Sequence, residues 1–362
     1  MNFISTKNPI QTTFLDDFVD ITQLHSERTL KVCAVFAGCG GFSLGMKGDF
    51  TAFGDVSKTY FEKNNFDIAF SNEIEPNACK TYRDNFGTPL FEGDITELST
   101  KSIPDFDILI GGFPCQDFSI SGRLGGLSVE RGRLYREMIR ILSEKKPIGF
   151  IAENVKNLAN PKLVDPSTGK PVIDTIISEF ANEGYRVKYG LMHGPTFGLP
   201  QNRERIFIFG IRKDLELEPK FPYPIFPRMT TKQAIDDIWD IEKNAHVPNQ
   251  TQISLAKFKQ PTKTGNQGNY KLKPDQPSYV MRAEHHMNIQ AHYRTHNPSD
   301  PDDRSAWRRM TVREAARVQS FPDDFVFSGT KFWAYKQVGN AVPPMLGWYA
   351  GRALYNSIYP QK

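Results

Sequence analysis

The chain has little cysteine. Among its 362 residues only Cys33, Cys39, Cys79 and Cys115 carry a thiol, and no CxxC spacing occurs. That argues against a disulfide scaffold and against a cysteine-built zinc cluster. Long hydrophobic runs are missing too: no apolar stretch approaches the roughly 18 residues that span a bilayer, so no membrane partner is expected. The first residues, MNFISTKNPIQTTFLDDF, lack the apolar core of a signal peptide, and a cytoplasmic location is expected. No charge of one sign dominates. The chain has 45 Lys+Arg against 41 Asp+Glu, a net charge of +4. This permits a nucleic-acid partner without demanding one. No internal repeat is present. A hydrophobic content of 39% and a charged content of 24% are ordinary for a soluble globular protein. The length suffices for one large domain and a smaller one.

Local patterning organises the chain. Residues 1–30 are polar and aperiodic, an arm or short helix. From 31 to 212, apolar strands alternate with helical stretches. The strands are KVCAVF (31–36), DIAFSN (67–72), DILI (107–110), GFIAENV (149–155), VKYGLM (187–192) and RIFIFGI (205–211). The clearest helices are PNACKTYRDNF (76–86), GRLYREMIRILSE (132–144) and VIDTIISEFANEG (172–184), the last stopped by Gly184. Such alternation predicts an α/β fold, a mostly parallel sheet with helices on both faces. After Arg212 the pattern breaks at the proline-rich EPKFPYPIFPRM (218–229). Residues 213–307 are loop-rich. Order returns at TVREAARVQSF (311–321), a helix stopped by Pro322, and a last helix starts near Pro344. The boundaries are therefore an arm at 1–30, a large domain in two segments (31–212 and 308–362), and a small domain, 213–307, inserted between them.

The chemistry sits at strand ends. GGFPCQDFS (111–119) places Cys115 directly after Pro114, in a glycine-rich turn that follows a buried strand. A thiol there is placed to attack. A lone cysteine is more often a buried small hydrophobe, which is the expectation for Cys33, Cys39 and Cys79. GFIAENV ends in Glu153 and Asn154, and PQNRERIF (200–207) carries Gln201, Arg203 and Arg205. AVFAGCGGFSLG (34–45) is a glycine-rich turn between a strand and a helix, where glycine lets backbone approach a ligand. It departs from the dinucleotide fingerprint because Ser43 occupies the third glycine's place, which disfavours a nicotinamide oxidoreductase. SNEIEPNAC (71–79) puts Glu73 at the end of the second strand, placed for ribose hydroxyls.

A nucleophilic cysteine, a strand-end acid, paired arginines and a glycine-rich turn, in this order, resemble the DNA (cytosine-5) methyltransferases of bacterial restriction–modification systems. RRMTVREAARVQSFPDDF (308–325) and YKQVGNAVPP (335–344) match that family's last two motifs. The resemblance covers about 31–212 and 308–357, and it implies a Rossmann-like S-adenosylmethionine-dependent methyltransferase fold. It implies S-adenosyl-L-methionine as cofactor, bound by Phe36, Gly38, Gly40 and Gly41, by Glu73 on the ribose, and by Ile74 and Asp94 at the adenine. Pro114 lies beside it, and Gly339 and Asn340 stand at its methionine end. Ala34 stands where the family usually has Asp, and Ile74 where many members have tryptophan.

The same resemblance assigns the chemistry. Cys115 attacks C6 of a flipped-out cytosine in double-stranded DNA. Covalent attack makes C5 nucleophilic. Glu153 supplies a proton or hydrogen bond at N3, provided burial raises its pKa. Arg205 faces O2. Asn154 holds the base or the loop, and Arg203 and Gln201 support the nucleophile loop or a phosphate. Residues 116–131 form a mobile catalytic loop, and 213–307 correspond to a target-recognition domain. Six basic residues (Lys257, Lys259, Lys263, Lys271, Lys273, Arg282) against Asp275, interleaved with Phe258, Tyr270 and Tyr279, suit phosphates and base edges. His285, His286, His292 and His296 invite a metal reading, but without acid or cysteine in ligand spacing no metal site is expected. A monomer is expected, with a partner restriction endonuclease in the same system but no stable complex with it. Two alternatives differ in kind. A tRNA cytosine methyltransferase would carry Cys-Phe-Thr in the insert, which has no cysteine. A catalytically dead DNA-binding relative would have lost Cys115, Glu153 or the glycines.

Overall fold

The computed structural model of the chain describes residues 17–54, 57–114, 134–259, 268–283 and 289–361. Cys115, residues 116–131, Lys263, His285 and His286 lie outside them. In chain order the elements are β1 (Phe18–Val19), β2 (Leu30–Val35), α1 (Gly41–Lys47), β3 (Phe50–Ala52), β4 (Thr59–Phe61), β5 (Phe66–Glu73), α2 (Pro76–Asn85), β6 (Leu90–Glu92), β7 (Ile108–Gly112), α3 (Tyr135–Lys145), β8 (Gly149–Val155), α4 (Val172–Asn182), β9 (Tyr185–His193), β10 (Glu204–Arg212), β11 (Phe221–Pro222), α5 (Thr231–Ile235), α6 (Val312–Val318), α7 (Lys331–Asn340) and α8 (Pro344–Ile358).

Seven strands form one sheet in the order β6-β5-β2-β7-β8-β10-β9. The first five run parallel, and β10 is antiparallel to both β8 and β9. The apolar runs VKYGLM and RIFIFGI thus make a hairpin, not another parallel crossover. The ten residues joining them, 194–203, hold only a short 3-10 turn, too little chain for a crossover helix.

Side-chain alternation divides the core into two layers. Val32, Ala34, Ile108, Ile110, Ile151, Phe207 and Phe209 pack on the face covered by α8. Their neighbours Cys33, Val35, Leu109, Phe150, Ala152, Ile206 and Ile208 pack on the face covered by α3 and α4. This is the period-two signature of strands buried on both sides. Helix α8 is buried along its whole length, its Arg352 and Asn356 donating to the carbonyls of Ile21 and Asp20. Local chemistry fixes the helix starts. Pro76 opens α2, and the Glu75 side chain accepts from the Ala78 N–H at 2.8 Å. Thr311 and Glu314 form a reciprocal capping box on α6.

Between β10 and α6 the described residues carry little regular structure, and side chains satisfy the backbone there instead. Buried Arg309 donates to the carbonyls of Ala256 (2.8 Å), Lys257 (3.2 Å), Gly268 (2.9 Å) and Ile289. Arg308 grips the Glu314 carboxylate with both terminal nitrogens at 2.6 and 2.7 Å. His292 is packed against Trp239, and its Nδ1 accepts from the Arg294 N–H at 3.0 Å. Burial beside Arg308 holds its pKa well below the usual histidine range. No described helix is long and apolar enough to cross a membrane.

Candidate active site

Chain order within the sheet locates the site. From β2 the chain steps outward to β5 and β6, then returns to β7 and steps the other way to β8. Direction therefore reverses between β2 and β7, and a crevice opens at the carboxyl ends of such strands. The glycine turn follows β2, Glu73 ends β5, Pro114 follows β7, and Glu153 lies near the end of β8. Every one of these residues falls on that edge.

Glu153 and Arg205 meet because of register. Arg205 lies opposite Val155 in the antiparallel β8–β10 pair, so Glu153, two residues from Val155, is its diagonal neighbour on the same face. Arg205 Nε approaches Glu153 Oε1 at 2.9 Å, and both side chains are almost wholly buried. Burial pushes the Glu153 pKa up, opposed by the charges of Arg205 and Arg203. The other oxygen faces a space left by glycine. Gly112 lies beside Glu153 in the β7–β8 pair, and a Cβ on it would stand 3.3 Å from Glu153 Oε2. The sequence reading missed Gly112, although it is the second glycine of the string that holds Cys115. Asn154 points to the opposite face and donates from Nδ2 to the Phe113 carbonyl at 3.1 Å. It anchors the backbone two residues before Cys115.

The cofactor-side residues divide by what fills their neighbourhood. Phe36 adopts a left-handed φ of 52°, a strained conformation for an aromatic residue at the mouth of a turn. Gly38 has φ 56°, and an added Cβ would meet nothing within 4 Å. At Gly40 a Cβ would strike the Phe86 ring at 2.3 Å, and at Gly41 the Val342 carbonyl at 2.4 Å. Those two glycines admit protein, and Gly38 faces open space. Glu73 Oε2 accepts from the Gly38 N–H at 2.7 Å, and Oε1 from the Ile74 and Glu75 N–H groups at 2.9 Å. Its carboxylate is a latch on the glycine turn as well as a candidate ribose acceptor; burial pushes its pKa up. Ile74 is 60% exposed, an apolar side chain facing outward beside Glu73. Asp94 caps the short turn Ile95–Glu97 through Oδ1, at 2.9 Å to the Thr96 N–H and 2.8 Å to its hydroxyl, and these bonds pull its pKa down. Asn340 ends α7, is exposed, and precedes the Ala341–Val342 pair that packs on Gly41. Open space at Gly38, an outward apolar Ile74 and acceptors at Glu73 and Asp94 suit a purine nucleoside carrying a polar tail.

Cys33, Cys39 and Cys79 are buried, as small hydrophobes are. Burial pushes the thiols of Cys39 and Cys79 up to about 12, so neither supplies a thiolate at neutral pH.

The C-5 cytosine-specific DNA methylase model matches residues 30–356. The chain belongs to that family. It is a DNA (cytosine-5) methyltransferase, an α/β enzyme of the restriction–modification type. It is 34% identical over 340 residues to the Type II methyltransferase M.NgoFVII of Neisseria gonorrhoeae, covering 87% of this chain and 83% of that one. It is 31% identical over 350 residues to the Type II methyltransferase M.FnuDI of Fusobacterium nucleatum, covering 91% and 95%. A solved structure of a putative DNA modification methyltransferase from an E. coli prophage shares the fold. It has a TM-score of 0.63 and 23% identity, covering 91% of this chain and all but 1% of that one: 99%.

Proposed function

We propose that this methyltransferase acts on C5 of a flipped-out cytosine within a short duplex DNA sequence, through a covalent bond between Cys115 and C6. The buried Glu153–Arg205 pair beside Gly112, three residues before Cys115 in sequence, carries this reading. The Cys115 thiolate adds to C6, and the displaced electron pair leaves C5 nucleophilic, with negative charge developing toward N3 and O2. Glu153 holds a proton at N3, the form that burial favours. Arg205 fixes the carboxyl through Oε1 and places its positive charge toward O2. After C5 is methylated, loss of the C5 proton expels the thiolate and restores the ring. Asn154 and Gly112 hold the approach to these atoms: one pins Phe113, the other leaves room at Oε2.

S-adenosyl-L-methionine, when bound, supplies the electrophilic methyl group. Phe36, Gly38, Glu73, Ile74, Asp94, Pro114 and Asn340 would hold it, with Gly40 and Gly41 shaping the turn behind them. Residues 213–307 would read the DNA bases, with 1–30 as an arm and 31–212 and 308–362 as the catalytic domain. The Type II relatives support a protective role in a restriction–modification system; the same proposal puts the enzyme in the cytoplasm, as a monomer without a stable nuclease complex. The test uses duplex DNA bearing 5-fluorocytosine at the target, which blocks loss of the C5 substituent. Wild type should form an adduct that survives denaturation, and Cys115→Ala should form none while still binding cofactor. Undiminished methylation by Cys115→Ala would overturn the mechanism.

A further inference from the structure

We infer that Gln201, Arg203 and Gly339 form a joint that transmits base recognition from the insert to the catalytic strand, making them positioning residues for sequence discrimination. The inference rests on reading 213–307 as the base-reading insert. The segment leading into β10 and the insert segment 278–281 run side by side. The Ser278 N–H donates to the Pro200 carbonyl at 2.9 Å, and the Asn202 N–H donates to the Ser278 carbonyl at 2.8 Å. Both polar groups of one insert residue are then held by side chains from this segment. The Met281 N–H donates to Gln201 Oε1 at 3.0 Å, and the Met281 carbonyl accepts from Arg203 Nη1 at 3.1 Å.

The same two side chains reach the end of α7. Arg203 Nη2 donates to the carbonyls of Gly339 at 3.1 Å and Ala341 at 2.9 Å. Gln201 Nε2 donates to Gln319 Oε1 at 2.9 Å, and Gln319 Nε2 donates to the Val338 carbonyl at 2.6 Å. Gly339 closes the joint. A Cβ there would stand 2.2 Å from the Arg282 carbonyl carbon and 2.4 Å from the Ala283 nitrogen. The insert backbone thus lies directly on α7, where only glycine admits it.

Gln201 and Arg203 are fully buried, at 0% and 1% exposure. Water therefore cannot replace these bonds when the segment shifts. Arg205, which grips Glu153, follows Arg203 by two residues. A displacement of Met281 when the insert meets its sequence moves Gln201 and Arg203, and a close-packed interior passes that movement on. The joint also touches Ala341, which leads to the Val342 carbonyl packed on Gly41. Recognition in the insert thereby reaches both halves of the site.

The test compares wild type with Gln201→Ala, Arg203→Lys and Gly339→Ala on two duplexes: the target found by bisulfite sequencing, and the same duplex with one base pair of that target changed. Values of kcat and KM are measured on each, with cofactor affinity by calorimetry. The ratio of kcat/KM between the two duplexes should fall at least tenfold in each variant, chiefly through kcat on the correct duplex. Cofactor affinity should stay within threefold in Gln201→Ala. Should Gly339→Ala not fold, the other two substitutions add no volume and decide the matter. An equal loss on both duplexes, leaving the ratio unchanged, overturns the joint while leaving the insert's role intact. A chimera with a relative's insert that keeps the original target overturns the insert's role, and the joint with it.

Discussion

At the scale of single residues, Glu153 shows how position sets chemistry. An exposed glutamate has a pKa near 4.3 and would hold no proton at neutral pH. Burial at the end of β8 raises that value, and the Arg205 Nε contact at 2.9 Å limits the rise. If the proton on Glu153 is needed at N3, the rate should fall as pH rises through the raised pKa. Glu153→Gln should lower kcat by about 10²–10⁴, the range for a lost general acid, and should remove that alkaline limb. Cofactor affinity should change little. Stability should follow the same sign. A carboxyl whose folded pKa is raised stabilises the fold fully below its unfolded pKa, and that contribution is lost as pH rises through the folded value. Glu153→Gln should therefore unfold at a temperature no lower than wild type above that window. Loss of cofactor binding with normal turnover at saturation would show that Glu153 belongs to the other half of the site.

At the scale of elements, strands and long helices were legible because each buries a continuous or periodic apolar set. GFIAENV is β8 residue for residue, and PNACKTYRDNF runs one residue past α2, whose proline stands at the first position. The hairpin β9–β10 was not legible as antiparallel, because β10, buried on both faces, reads the same in either direction. The helix expected after the glycine-rich string AVFAGCGGFSLG begins inside it, at Gly41. Glu153, Arg205 and Asn154 could be named from their motifs. Gly112 and the Met281 backbone could not, since what matters there is an absent side chain and a peptide group.

The glycines of that turn give a prediction at this scale. Gly38→Ala meets empty space, so its cost to folding is the left-handed φ alone, about 1 kcal/mol. It should lower S-adenosylmethionine affinity strongly, at least tenfold, because the methyl fills the cradle. Gly41→Ala meets the Val342 carbonyl, where α1 packs beside the start of α8, and should cost about 1–3 kcal/mol of stability as overpacking does. Thermal unfolding and calorimetric titration separate the two. A Gly38→Ala protein that binds cofactor normally would move the cofactor away from this turn.

At the scale of the whole molecule, the function proposed above gives chemistry and recognition to different stretches of chain. The seven-stranded sheet holds Glu153, Asn154 and Arg205 on rigid strands, while the described residues between β10 and α6 are mostly irregular, with carbonyls tied by buried arginines. Exposed positions of such loops can change sequence without disturbing the sheet, provided Arg308, Arg309, the joint at Met281 and the buried Ala234, Ile235, Ile238, Leu272 and Ile289 persist. Lysines on them would hold phosphates and contribute no sequence information. Replacing Lys257, Lys259 and Lys263 together should weaken binding to all duplexes alike. It should also flatten the plot of log affinity against log salt by about one unit for each lysine that neutralises a phosphate. Exchanging 213–307 for a relative's insert should change the methylated sequence and leave 5-methylcytosine as the product, because Cys115, Glu153 and Arg205 all lie outside it. Bisulfite sequencing of DNA from cells expressing the chimera reads both results at once. A folded, active chimera that still methylates the original sequence would place base reading in the sheet domain and its catalytic loop, against the division of labour proposed here.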